Sequence, residues 1–318
     1  MAKARVVFMG SPEFAVPCLQ AVARHAIVEA VVCQPDKPAG RGLQPRAPAV
    51  KRAAEALCVP RIWQPVSVRK PPFADDLRAL APDLAIVVAY GKILPAEVLA
   101  IPRLGCVNVH ASLLPKYRGA APIQWSVIHG EEVTGVTLMQ MDVGMDTGPM
   151  LAQLAMKIPV DATAGQMHER LAVLGEAIID EHFEALLAGS MVPQAQDGAH
   201  ASAAPMLDKE TGRIDFSRGA RAVRDLVRGC DPWPGAFTML EGEAVKVFAA
   251  TPVSGAGEAG VVLDVDRDGL IVGCGADAVA LVELQLAGRK RMPARALVQG
   301  RPIPRGTRLG SGLGPGPG

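Results

Sequence analysis

RVVFMGSPEFAVPCLQAVARHAIVEAVVC, residues 5–33, decides the fold. It opens on a near-continuous apolar run at 5–9, turns at Gly-Ser-Pro, takes helical spacing over 17–24 and closes on a second near-continuous apolar run at 27–33. Two apolar runs joined by a crossover helix are the signature of parallel strands covered on both faces. Further apolar runs stand at 84–89 and 106–109, with helical patterns at 49–57 and 73–80. The alternation predicts an α/β fold whose N-terminal part is an open, doubly wound, mostly parallel Rossmann-like sheet.

The pattern changes twice downstream. β-rich segments at 133–141 and 150–158 flank the turn-forming DVGMDTGP, and a long helix is expected over about 164–187. Residues 189–208 lose periodicity and fill with Ala, Pro, Gln, Ser and Gly, as a linker does. Beyond Lys209 one helix, at 220–228, is followed by short strands at 244–250, 259–264, 270–272 and 279–286, which predict a small OB-like β-barrel. The expected division is therefore a catalytic domain over 1–188, a linker over 189–208, a barrel domain over 209–309 and a disordered tail over 310–318, where GSGLGPGPG holds nothing to bury.

Composition narrows the function. With 318 residues, 49% apolar and 20% charged, the chain can form two cores, and with 4% aromatic residues those cores must be aliphatic. No apolar run reaches the length of a membrane span, and MAKARVVFMGSPEF lacks the apolar stretch of a signal peptide, so a cytoplasmic protein without membrane contact is expected. Six cysteines without a CxxC pair or a cysteine–histidine spacing suited to zinc predict reduced thiols and a site without metal. A net charge of +1 conceals two runs free of acids, five cations from Lys37 to Arg52 and seven from Arg289 to Arg308. Either run alone is as compatible with a solvated loop as with a polyanion.

The chemistry concentrates in GCVNVHASLLPKYRGAAPIQWSVIHGEEVTGVTLMQMDVGMDTGP, residues 105–149. Asn108 and His110, two apart at the end of an apolar strand, point to one side at the carboxyl edge where open α/β sheets bind ligands. A single histidine there is more often a hydrogen-bonded structural residue, and an Asp beside Gly more often an Asx-turn residue than a catalytic one. Together with Asp146, however, the set suits an amine attacking an acyl-type carbon. Asn108 and a charged His110 donate to the oxygen that becomes negative, and Asp146 holds the imidazole and accepts a proton directly or through water. After the first strand, MGSPE lacks the GxGxxG of a dinucleotide site, which argues against an oxidoreductase.

NVHASLLPKYRGAAPI and GVTLMQMDVGMDTGPML resemble the formyltetrahydrofolate-dependent formyltransferase family. So do VVFMGSPEFAVPCL, QPDKPAGRG, VVAYGKILP and DPWPGAF, and the likeness spans nearly the whole chain. The resemblance implies a catalytic trio of Asn108, His110 and Asp146. It implies a reduced-folate pocket lined by the turn Ser112, Leu113, Leu114 and Pro115, by Asp142, Gly144 and Thr147, and by Tyr90. Where relatives have Gly after the histidine this chain has Ala111. It further implies 10-formyltetrahydrofolate as co-substrate and charged initiator tRNA as acceptor, met by Lys37, Arg41 and Arg46 in the loop after the second strand. Arg289, Lys290 and Arg291 would attract phosphates from the barrel domain. No obligate protein partner is evident, and a monomer is expected. The competing readings are a sibling enzyme that formylates a small amine, which would need neither the second domain nor the basic loop, and a catalytically silent RNA-binding protein, against which the intact trio argues.

Overall fold

The computed structural model describes residues 3–39, 44–266 and 269–310. Two compact units emerge, and neither is contiguous in sequence. The first comprises Met1–Pro122, Val133–Lys157 and His168–Pro205; the second comprises Ile123–Glu132, Ile158–Met167 and Met206–Gly318.

The first unit is a seven-stranded sheet in the order Ile62–Trp63, Ile27–Val32, Arg5–Gly10, Leu84–Val88, Cys106–His110, Val133–Gln140, Met150–Lys157. The first five run parallel. The last two run antiparallel, since the short connection between them allows a hairpin and not a crossover. In the middle strand Val6, Val7, Phe8 and Met9 are each 0% exposed. Met150–Lys157, at the edge, instead alternates between half-buried and exposed positions. Phe73–Leu80 lays Phe73, Leu77 and Leu80 on one sheet face against Val7, Met9 and Val87, each such burial contributing about 1.5–3 kcal/mol. From Arg5–Gly10 the chain winds outward through Ile27–Val32 to Ile62–Trp63, then returns to the other side as Leu84–Val88 and Cys106–His110. The strand order thus reverses beside the carboxyl ends of Arg5–Gly10 and Leu84–Val88, where such sheets open a crevice.

The aperiodic stretch expected as a linker is tied down. Gln194 bridges Met150, and Ala203–Ala204 pairs in parallel with Arg118–Gly119. Through 205 the chain therefore groups with the sheet. Composition could not reveal this, because single backbone pairings leave no periodicity behind. The long helix runs over Ala164–Ala188, opened by a capping box in which Thr163 and Gln166 exchange hydrogen bonds of 3.1 and 3.3 Å.

In the second unit, antiparallel strands run in the order Ala236–Leu240, Glu243–Val253, Ala278–Leu286, Gly269–Gly273, Val262–Asp266, with Met292–Pro293 beside Ala278–Leu286. The expected barrel is not closed. Its two edge strands do not pair with each other among the described residues; Leu309 and Arg308 make single bridges at Leu240 and at Val261. A passing chain segment thereby satisfies edge groups that closure would otherwise satisfy. Asp225 accepts from Arg228 Nε and Arg224 Nη2, both at 2.8 Å, while Arg228 Nη1 reaches the Ala162 carbonyl at 3.1 Å. Of the expected tail, residues 311–318 lie outside the described residues. Among the described helices none is long and apolar enough to cross a membrane. The cysteines are free thiols, buried except for Cys58.

Candidate active site

Strand Cys106–His110 ends at the crevice and presents Asn108 and His110 on one face, with Val109 buried between them on the other. His110 is 6% exposed. Its Nε2 donates to the Tyr117 carbonyl at 2.9 Å. Because a carbonyl only accepts, Nε2 carries a proton, and Nδ1 is the nitrogen left for chemistry. Nδ1 faces Asp146 Oδ2 at 3.7 Å, an ion-pair distance beyond hydrogen-bond reach. The Asn108 side chain is half-buried and makes no hydrogen bond among the described residues, so its amide is available to a ligand.

Asp146 is set by its turn. It adopts a left-handed backbone, φ 55°, a conformation that costs a non-glycine residue free energy unless its surroundings enforce it. Its Oδ2 accepts from the Gly119 amide at 2.8 Å. Gly119 itself has φ +125°, and a Cβ there would stand 2.7 Å from the Ala204 carbonyl oxygen, so only glycine fits this close pairing. Asp142 shapes the same loop, accepting from Gly144 N at 3.0 Å and from Thr147 Oγ1 at 2.8 Å. Its carboxylate is thus engaged inside the loop. At the tip Val143 and Met145 are 69% and 61% exposed.

The turn after His110 is held from behind. Thr137 Oγ1 donates to the Ser112 carbonyl at 2.7 Å and accepts from Leu114 N at 3.1 Å, and Gln153 Nε2 donates to the Leu114 carbonyl at 2.9 Å. Ser112 is fully buried, its hydroxyl donating to the Lys116 carbonyl at 2.6 Å, and Leu114 is 3% exposed. What this turn offers a ligand is therefore its backbone, Leu113 and Pro115. Tyr90 is placed differently from the other folate candidates. It is 2% exposed in the core with Val7, Met9 and Leu94, and burial pushes its phenol pKa up. Among the described residues the hydroxyl has no hydrogen-bond partner, while the Tyr90 carbonyl accepts from Gln34 Nε2 at 3.0 Å.

The basic residues separate by environment. Lys37 and Arg46 are exposed and stand opposite each other in the hairpin of Lys37–Ala39 with Gln44–Arg46; Arg41 lies outside the described residues. Lys51 and Arg52 are paired with Asp36 and Glu13. In the second unit Arg289 and Lys290 are exposed without an ion pair among the described residues. Arg291 differs: it pairs with Glu283 at 2.6 Å and lies over the Phe248 ring at 4.3 Å, so its charge serves the sheet. Arg301, Arg305 and Arg308 are likewise paired.

Sequence reading missed the residues that hold the site from outside the trio: Tyr117 and Gly119 by backbone and Gln196 by side chain around His110 and Asp146, and Thr137 and Gln153 behind the turn at 112–115. Tyr117, Gly119 and Thr137 stand within the quoted motifs, but nothing in them marks these contacts.

Comparison with known proteins agrees with this fold. Residues 4–182 match the formyl transferase family and residues 206–302 match the formyl transferase C-terminal domain, and the chain belongs to that family. It is 48% identical over 311 residues to a methionyl-tRNA formyltransferase of Geobacter sulfurreducens, covering 98% of both chains, and 46% identical over 307 residues to that of Myxococcus xanthus, covering 96% of this chain and 98% of the relative. Among solved structures, the N-formyltransferase of Helicobacter canadensis in complex with folinic acid and dTDP-3-aminofucose shares the fold, with a TM-score of 0.67 at 16% identity over 88% of this chain and 99% of its own.

Proposed function

We propose that the chain transfers a formyl group from 10-formyltetrahydrofolate to the α-amino group of methionine on charged initiator tRNA. The observation that carries the reading is the His110 Nδ1–Asp146 Oδ2 pair at the carboxyl edge of the sheet, with Asn108 on the same strand face, in a chain so similar to methionyl-tRNA formyltransferases. The folate is a substrate and supplies the formyl carbon. The methionyl nitrogen bonds to that carbon, whose carbonyl electrons move onto oxygen; the oxyanion then re-forms the carbonyl as the bond to folate N10 breaks. Asn108 and His110 Nδ1–H donate to the oxyanion, and Asp146 takes the proton lost by the amine. Asp146 then returns that proton, directly or through water, to N10 as it leaves, so protons and charge balance.

The folate lies against the backbone of residues 112–115 and the 142–147 loop. Lys37, Arg41 and Arg46, with Arg289 and Lys290, attract the tRNA phosphates. The enzyme works as a cytoplasmic monomer. Incubation with 10-formyltetrahydrofolate and methionyl initiator tRNA should yield formylmethionine. No product on the tRNA, with formylation of an amino-sugar nucleotide instead, would overturn the reading.

A further inference from the structure

Gln196 stands in the aperiodic stretch that reads as a linker, yet its side chain makes four hydrogen bonds in the site. Nε2 donates to the carbonyls of Asp146 and Gly148 at 2.8 and 2.7 Å. Oε1 accepts from Nε and Nη2 of Arg118 at 3.0 and 2.8 Å. Arg118 directly precedes Gly119, whose amide donates to the Asp146 carboxylate. The connections close a ring: Asp146 carboxylate, Gly119, Arg118, Gln196 and back to the Asp146 carbonyl. Within the ring sits the one trio residue with a left-handed backbone.

We infer that Gln196, with Arg118, is a positioning residue for Asp146, a role that rests on the reading of Asp146 as the proton acceptor. Without a brace, a turn residue at φ 55° relaxes toward commoner conformations, and its carboxylate swings away from His110 Nδ1. Gln suits the task because its amide offers two donors to two carbonyls and an acceptor to a guanidinium fork. All four bonds leave the carboxylate oxygens to Gly119, His110 and the substrate. The brace acts on aim, not on substrate contact.

The test is steady-state kinetics of full-length Gln196→Ala, Arg118→Lys and Asp146→Ala, with thermal melting and calorimetric binding of 5-formyltetrahydrofolate. Gln196→Ala should lower kcat about tenfold or more, the scale of a small displacement of a reacting group, while KM for tRNA and folate binding change less than about twofold and the melting point stays close to wild type. Arg118→Lys, which keeps one donor to Oε1, should retain most of the activity. In solution spectra the Gly119 amide proton, shifted downfield by its carboxylate acceptor, should move upfield in Gln196→Ala. A normal kcat for Gln196→Ala beside an inactive Asp146→Ala would overturn the positioning role alone. Normal turnover of Asp146→Ala would instead overturn the reading beneath it. A loss in Gln196→Ala confined to the melting point, with kcat per folded molecule and the Gly119 signal unchanged, would make the residue merely structural.

Discussion

At the scale of single residues, His110 is hydrogen-bonded to the Tyr117 carbonyl through one nitrogen and faces Asp146 with the other, and that asymmetry determines what each substitution does. Replacing Asn108, His110 or Asp146 with Ala should each lower kcat by roughly 10² or more, as for a lost oxyanion donor or proton acceptor. Under the proposed mechanism the three share one oxyanion and one proton, so the double variant His110→Ala/Asp146→Ala should be little slower than the worse single one. Single-turnover rates with charged tRNA check both statements, and additive losses would contradict a shared step. Tyr90 supports a prediction of the opposite sign. Its hydroxyl is buried without a partner among the described residues, so Tyr90→Phe should leave stability unchanged or raise it by up to about 1 kcal/mol, since an unsatisfied polar group disappears without loss of packing. Chemical denaturation measures this, and folate affinity should not change.

At the scale of elements, the hairpin after the second strand sets Lys37 directly opposite Arg46. Like charges at that position repel by a few tenths of a kcal/mol to about 1 kcal/mol, a cost that a polyanion reverses. Lys37→Ala and Arg46→Ala should therefore leave melting unchanged or slightly raised, yet raise KM for tRNA, with the difference from wild type shrinking as salt increases. The strand pair near Arg291 should behave in the converse manner. Arg291→Ala removes an ion pair and the cation over Phe248, so thermal stability should fall by about 1 kcal/mol, whereas Lys290→Ala should affect only tRNA binding. Parallel melting curves and filter-binding titrations separate the two outcomes.

Over the whole molecule, burial of thiols should lower stability at alkaline pH. Desolvation pushes Cys18, Cys106 and Cys230 up to about 12 and Cys33 to about 11. Above the ordinary thiol value near 9 the unfolded chain releases protons that the folded chain retains. The unfolded state then binds fewer protons, the slope of stability against pH is negative, and stability falls progressively from about pH 9 toward pH 11–12. Denaturant midpoints across that range check the sign. At neutral pH a thiol reagent should modify Cys58 rapidly and the other cysteines only after unfolding, since Cys58 alone is exposed.

Local and nearest-neighbour information determined much of this protein. Four of the five parallel strands were legible because strands covered on both faces must be nearly continuously apolar, while Ile62–Trp63 is too short to leave such a run; the places of Asn108 and His110 followed from the period of two along a strand. The position of Asp146 in its glycine-rich turn was legible too, because turn chemistry is written in adjacent residues. What needed the tertiary structure was every relation that closes over long separations. Gln196 meets Asp146 across fifty positions, Thr137 meets Ser112 across twenty-five, and residues 123–132 and 158–167 group with the second unit. Neither composition nor periodicity records such pairings. The same holds for the charges: the basic run from Arg289 to Arg308 reads as uniform, but acids on strands, turns and loops of the second unit pair with Arg291, Arg301, Arg305 and Arg308, and only packing decides which cations remain for phosphate.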